Sequence, residues 1–223
     1  MIRGMLPEPR KQEIDHRTIK LLVGLIALTL ASVATVLARA RLDSISDAYY
    51  ATDASRNVFV GSLFAVSAFL LAYNGFSRRE MIASKIASVA AFLVAMFPCT
   101  CAREIDSALP VHGIAASTMF LVLAYLCFVF RRRATAKRYP QAKTRGRVYL
   151  VCGIVILACV AVLGLDYLIK HAISDRVPRL TFRGEETALI AFGISWLVAS
   201  RVLPGITNPE ERFSPFSDRT PPE

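Results

Sequence analysis

The chain has 223 residues, 54% of them hydrophobic, and a formal net charge of +10, with a mean hydropathy of +0.46. That composition excludes an ordinary soluble domain of this length. The charges are clustered between long uncharged runs, which is the pattern of a polytopic membrane protein.

The net positive charge does not point to nucleic acid, because no nucleic-acid-binding motif accompanies it and topology explains it. The gaps that would face one side of a membrane hold 19 of the 27 Lys and Arg residues. By the positive-inside rule that side is the cytoplasm, and both termini lie there. The expected fold is all-α, an integral membrane bundle of six transmembrane helices over residues 20–205. A cytoplasmic arm precedes it at 1–19, and a disordered cytoplasmic tail rich in Pro, Ser and charge follows at 206–223.

In chain order, the apolar runs are 21–38, 57–77, 86–102, 107–130, 148–165 and 187–200. The first is longer than the hydrophobic stretch of a signal peptide and follows a segment containing Glu8, Glu13 and Asp15, so it reads as a retained helix. The next gap, 39–56, crowds Asp43, Ser44, Ser46, Asp47, Tyr49, Tyr50 and Asp53 before a helix, with Ser55 as the expected N-cap of a helix starting at Arg56. Runs two and three carry small residues that favour close packing in lipid. Pro98 marks a kink or the end of the third helix. Cys99 and Cys101 read as two free thiols, and Cys127, Cys152 and Cys159 as apolar fillers.

His112 opens the fourth run. The 131–147 loop holds eight basic residues and no acid, a surface suited to anionic headgroups. Asp166 and Lys170 are four apart and read as an ion pair. The sixth run has only 14 uncharged residues, roughly 21 Å of helix against ~30 Å of hydrocarbon. Glu186 at its outer edge therefore needs a partner such as Arg56, Arg183, His112 or a cation.

These residues define a candidate site at the outer face. Ser46, Asp47, Tyr49, Tyr50, Arg56, His112 and Glu186 would wall a polar pocket for a lipid headgroup or small polar solute. Arg56 would hold a phosphate or carboxylate, and the two tyrosines would sit at headgroup level. No catalytic residue, cofactor or metal is assigned: there is no zinc-ligand spacing, nucleophile elbow, Walker A or dinucleotide motif. Three alternatives stay open: an intramembrane, metal-dependent lipid hydrolase, a structural or interaction protein, and a transporter. Membrane lipids are the expected partners, homo-oligomerisation is left open, and nucleic acid is not expected.

The chain resembles an uncharacterised family of bacterial six-helix inner-membrane proteins with a domain of unknown function. The residues that carry the likeness are Ser44-Ile45-Ser46, Tyr49-Tyr50, 57–61 (NVFVG), Tyr73-Asn74-Gly75, Phe97-Pro98, His112, and Glu186 ahead of 192–196 (FGISW). It covers about residues 40 to 197 and departs at Cys99, where threonine is more usual. The resemblance implies six helices, a multi-pass bacterial inner-membrane protein and a polar outer motif, but no activity. A fainter likeness is to intramembrane hydrolases of the ceramidase and adiponectin-receptor type, which also gather Ser, Asp and His near one face. Those have seven helices and paired helical histidines, which this chain lacks.

Overall fold

The computed structural model describes residues 15–99, 111–137 and 139–214. Among the described residues every regular element is helical. The elements are α1 (His16–Ala38), α2 (Ala48–Ala51), α3 (Asp53–Ala72), α4 (Arg78–Met96), α5 (Val111–Thr135), α6 (Pro140–Leu168) and α7 (Leu180–Ser200), with 3-10 turns at Ile45–Asp47 and Pro209–Glu211.

Local chemistry sets the starts. Asp15, Thr52 and Ser77 each accept a first-turn backbone N–H, and Pro140 opens α6, where its missing N–H costs nothing. Thr52, not the expected Ser55, caps α3. The N–H of Ser55 donates to Thr52 Oγ1 at 3.1 Å, and its own buried hydroxyl donates to the Ala34 carbonyl at 3.1 Å, tying α3 to α1. α4 stops at Met96, two residues before Pro98.

α1, α3, α5 and α6 are long and apolar enough to cross a membrane. α4 and α7 are of similar length but carry Arg78, Arg79, Glu80 and Lys85, and Arg183, Glu185 and Glu186, towards their starts. Of the six expected spans, four are thus recovered as apolar helices by this measure.

The long helices form a closed ring. α1 packs on α3, α3 on α4, α4 on α5, α5 on α6, α6 on α7, and α7 returns to α1. Sequential neighbours with short connections run up and down. Small residues let backbones meet. A Cβ on Gly193 would lie 2.9 Å from the Gly24 carbonyl, and one on Gly24 would lie 3.1 Å from the Gly193 carbonyl. Ser67 and Ser88 donate to each other's carbonyls at 2.9 and 2.8 Å, and Ser84 donates to that of Leu70 at 2.6 Å, so α3 and α4 are stitched along their length. Trp196, Phe192, Tyr73, Leu126 and Ile156 are among the largest fully buried side chains.

Polar groups gather at the two ends. One end, here the His112 end, holds the 39–53 segment and the starts of α3, α5 and α7. The other, the Glu80 end, holds the starts of α1, α4 and α6. Residues 206–214, within the stretch expected to be a disordered tail, are placed at the Glu80 end: Phe213 is buried and Pro209–Glu211 form a turn. Cys99 is disulfide-bonded, which corrects the free-thiol reading there.

Candidate functional site

The 39–53 segment folds into the bundle rather than away from it. Arg39 ends α1 in a left-handed conformation at φ 53°. Leu42, Ile45 and Ala48 are buried, so the segment plugs the ring. A capping box shapes the turn: Ser46 N–H donates to Ser44 Oγ at 3.2 Å, and the Ser44 and Asp43 N–H groups donate to Asp47 Oδ2 at 2.8 and 3.0 Å.

The plug is pinned to the start of α7. Phe182 N–H donates to the Asp43 carbonyl at 2.8 Å, and Arg179 Nε to that of Leu42 at 2.7 Å. Glu185 Oε2 accepts from Ser44 Oγ at 2.8 Å and from Ile45 N–H at 2.7 Å, while the Ser44 and Ser46 hydroxyls are 2.7 Å apart. Among the described residues no Lys, Arg or His forms an ion pair with Glu185.

His112 stands at the second position of α5, its Nδ1 2.7 Å from the Phe97 carbonyl. A carbonyl only accepts, so Nδ1 carries the hydrogen and the neutral ring keeps its lone pair on Nε2. Ser46, His112 and Glu185 line one cavity of about 40 Å³, together with Leu30, Phe59 and Met119. That is room for a few waters or the tip of a larger ligand.

Two of the seven expected pocket residues, Ser46 and His112, therefore meet in one cavity. The other five stand elsewhere. Asp47 is occupied in the capping box. Tyr49 and Tyr50 pack edge to face at 5.1 Å, with Arg56 6.0 Å from the Tyr49 ring. Arg56 is exposed and pairs with Asp53 at 2.6 Å. Glu186 is half-buried, and its neighbour Glu185 takes the cavity position instead. The signal for Glu185 was in the sequence: Phe182, Glu185, Leu189, Phe192 and Trp196 recur at spacings of three and four, one helical face.

A second polar cluster, at the Glu80 end, was not foreseen. Glu80 is 1% exposed and accepts from the Tyr73 hydroxyl at 2.6 Å, Phe76 N–H at 3.0 Å, and Arg133. Lys20, also buried, sets its ammonium 5.1 to 5.7 Å from the Tyr73, Phe130 and Phe76 rings. Its sequence signals are weak, because Lys20 stands at the edge of the first apolar run and Glu80 in the charged gap 78–85 between the second and third runs. Among the described residues no three His, Cys, Asp or Glu side chains stand together to hold a metal ion.

No protein-family model, no curated protein and no solved structure matches the chain. What its own geometry defines is an all-α bundle with four membrane-type helices.

Proposed function

We propose that the chain is a six-span protein of a bacterial inner membrane, with both termini cytoplasmic, and that its cavity at the His112 end opens outward and takes a small polar solute or the tip of a lipid headgroup. The outer surface of the ring supports insertion: Val36, Ile114, Val151 and Val89 are 74, 62, 59 and 57% exposed, a surface suited to hydrocarbon rather than water.

One observation carries the binding reading: Ser46, His112 and Glu185 line the same cavity, and the Glu185 carboxylate has hydrogen-bond donors but no ion-pair partner among the described residues. In an otherwise apolar lining, the Glu185 carboxylate, the Ser46 hydroxyl and the His112 ring are the polar groups, and each can accept a hydrogen bond. That lining suits a ligand that donates, such as an ammonium or hydroxyl group. Arg56, paired with Asp53 at the surface, is not available there for a phosphate.

Ser, His and Glu are also the residue types of a hydrolase. However, His112 is oriented by a backbone carbonyl and Glu185 by Ser44 and Ile45, so no carboxylate–histidine–serine relay is formed. A transport path is likewise not favoured, because mid-bundle polar groups such as Ser67 with Ser88 and Cys127 with Ser195 satisfy one another.

The test is mass spectrometry of lipids and small molecules that co-purify in mild detergent with wild type, Glu185→Gln and His112→Ala. A species retained by wild type and reduced at least tenfold in both folded variants is the expected result. Identical profiles for all three proteins would sink the reading.

A further inference from the structure

At the Glu80 end the chain after α7 turns back over the bundle. Leu203 and Ile206 pack against the core, and the Phe213 N–H donates to the Arg201 carbonyl at 3.0 Å. The Pro209–Glu211 turn delivers the Glu211 carboxylate to the point where α5 ends, α6 begins and α7 ends. Lys137 and the Tyr139 hydroxyl donate to it. Arg145 Nη2 donates to Oε2 at 3.2 Å, and Arg201 Nη1 lies 3.4 Å from the same oxygen. Arg145 also donates to the Tyr139 oxygen at 2.9 Å, and its side chain is only 3% exposed.

Among the described residues the charges in this node do not balance. Lys137, Arg145 and Arg201 contribute three positive charges, and Glu211 is the acid that pairs with them among the described residues. A buried guanidinium is costly unless its charge and N–H groups are matched. A phosphate offers more acceptor oxygens and more negative charge than a carboxylate, and an arginine fork with a lysine and a phenol suits it. The carboxylate that fills the node arrives on a short terminal segment rather than on one of the bundle helices.

We propose that Lys137, Tyr139, Arg145 and Arg201 form a phosphate-binding site, which Glu211 fills as a built-in competitor until a phosphate group displaces it. The ligand is a phosphate monoester or diester, carried either by an anionic lipid headgroup or by a free phosphate compound. Because the competitor is tethered, its effective concentration is on the order of millimolar. Wild type therefore binds phosphate weakly, and removing the acid unmasks the site. The site is independent of the cavity at the His112 end.

The experiment uses the full chain in dodecylmaltoside micelles and follows the thermal midpoint against three probes: inorganic phosphate, dioctanoyl phosphatidic acid and dioctanoyl phosphatidylcholine. Glu211→Gln is expected to respond to a phosphate-bearing probe at a concentration about tenfold lower than wild type requires. Adding Lys137→Gln, a change at a partly exposed residue, to that variant is expected to abolish the gain. A response to both inorganic phosphate and phosphatidic acid identifies a free-phosphate site, and a response to phosphatidic acid alone identifies a headgroup site. No gain in Glu211→Gln with any probe, or a gain that Lys137→Gln leaves intact, overturns the proposal.

Discussion

Glu80 and Glu185 are two acids near helix starts, and the fold treats them in opposite ways. Glu80 is fully enclosed and saturated by Tyr73, Phe76 and Arg133. Truncating it leaves a guanidinium and a buried phenol without their acceptor, so Glu80→Ala is expected to destabilise by about 3–5 kcal/mol. Thermal unfolding in detergent measures this, and a midpoint within a degree of wild type would show that the cluster is not a structural lock. Glu185 has two donors and a cavity instead, so Glu185→Gln, which keeps the shape, is expected to shift the midpoint little. A third residue-scale test concerns packing. A Cβ on Gly193 would meet Leu28 Cγ at 2.7 Å and backbone at 2.9 Å, whereas one on Gly61 meets nothing within 4 Å. Gly193→Ala is expected to cost about 1–3 kcal/mol by forcing α1 and α7 apart, and Gly61→Ala to cost nothing. Equal midpoints for the two variants would refute the close-contact account.

At the scale of elements, the terminal turn makes a pH prediction. Burial pushes the Glu211 carboxyl up, but the hydrogen bonds from Lys137 and Tyr139 and the charges of Arg201 and Lys137 outweigh it, bringing the group from 4.5 down to about 2. A depressed carboxyl stabilises the folded state above its unfolded value and loses that contribution as pH falls through its folded value. The stability gap between wild type and Glu211→Gln is therefore expected to be flat above about pH 5 and to close as pH falls from about 4.5 towards 2. A gap that does not change over that window in a titrated melting series would contradict the node as drawn. The helices were legible because long apolar runs bounded by charge leave few alternatives in lipid. The details that position side chains were not. Asp166 does not pair with Lys170. It accepts from Ile173 N–H, Ser174 N–H and the Ser174 hydroxyl at 2.9, 3.0 and 2.8 Å, because Lys170 and His171 turn into the left-handed region and reverse the chain. Likewise Asp47 looked like a site acid and serves as a cap, since its role depends on a turn that only the plugged segment creates. The cavity was half legible: Ser46 and His112 stood out as polar residues at helix edges. Glu186 bounds the short uncharged run, so run length points to it, whereas helical phase points to Glu185, one residue earlier.

At the scale of the molecule, α4 and α7 decide the topology. Their charges cluster towards the starts of both helices. On α4, Glu80 is enclosed by its partners, and Lys85 reaches back to the Leu71 carbonyl and to Asn74 Oδ1, at 3.0 Å for the latter, beyond the end of α3. On α7, Glu185 is held by the plug. Each helix thus carries its charges towards an interface, and a short apolar remainder can be met by local thinning of the bilayer or by tilt. If both helices cross, the ring places the 39–53 and 169–179 connections on one side and the 73–77, 136–139 and 201–214 segments on the other. Taken with the basic helix ends beside them, the gaps on the side of the second group hold 19 of the 27 Lys and Arg residues, so in the proposed topology that side is the cytoplasmic one. Alkaline phosphatase fused after residue 175 is therefore expected to be active in the periplasm, and the same enzyme fused after residue 137 or 214 inactive. A fluorescent reporter that matures only in the cytoplasm should give the reverse pattern. The two fusions at 137 and 175 bracket α6, and those at 175 and 214 bracket α7. Equal activity at 175 and 214 would mean that α7 does not cross, which would leave an odd number of spans and move the Glu211 node to the face opposite the start of α1. The node speaks against that arrangement: Arg17, at the start of α1, donates to the Glu211 carbonyl at 3.5 Å, so the start of α1 and the turn after α7 lie on one face of the bundle.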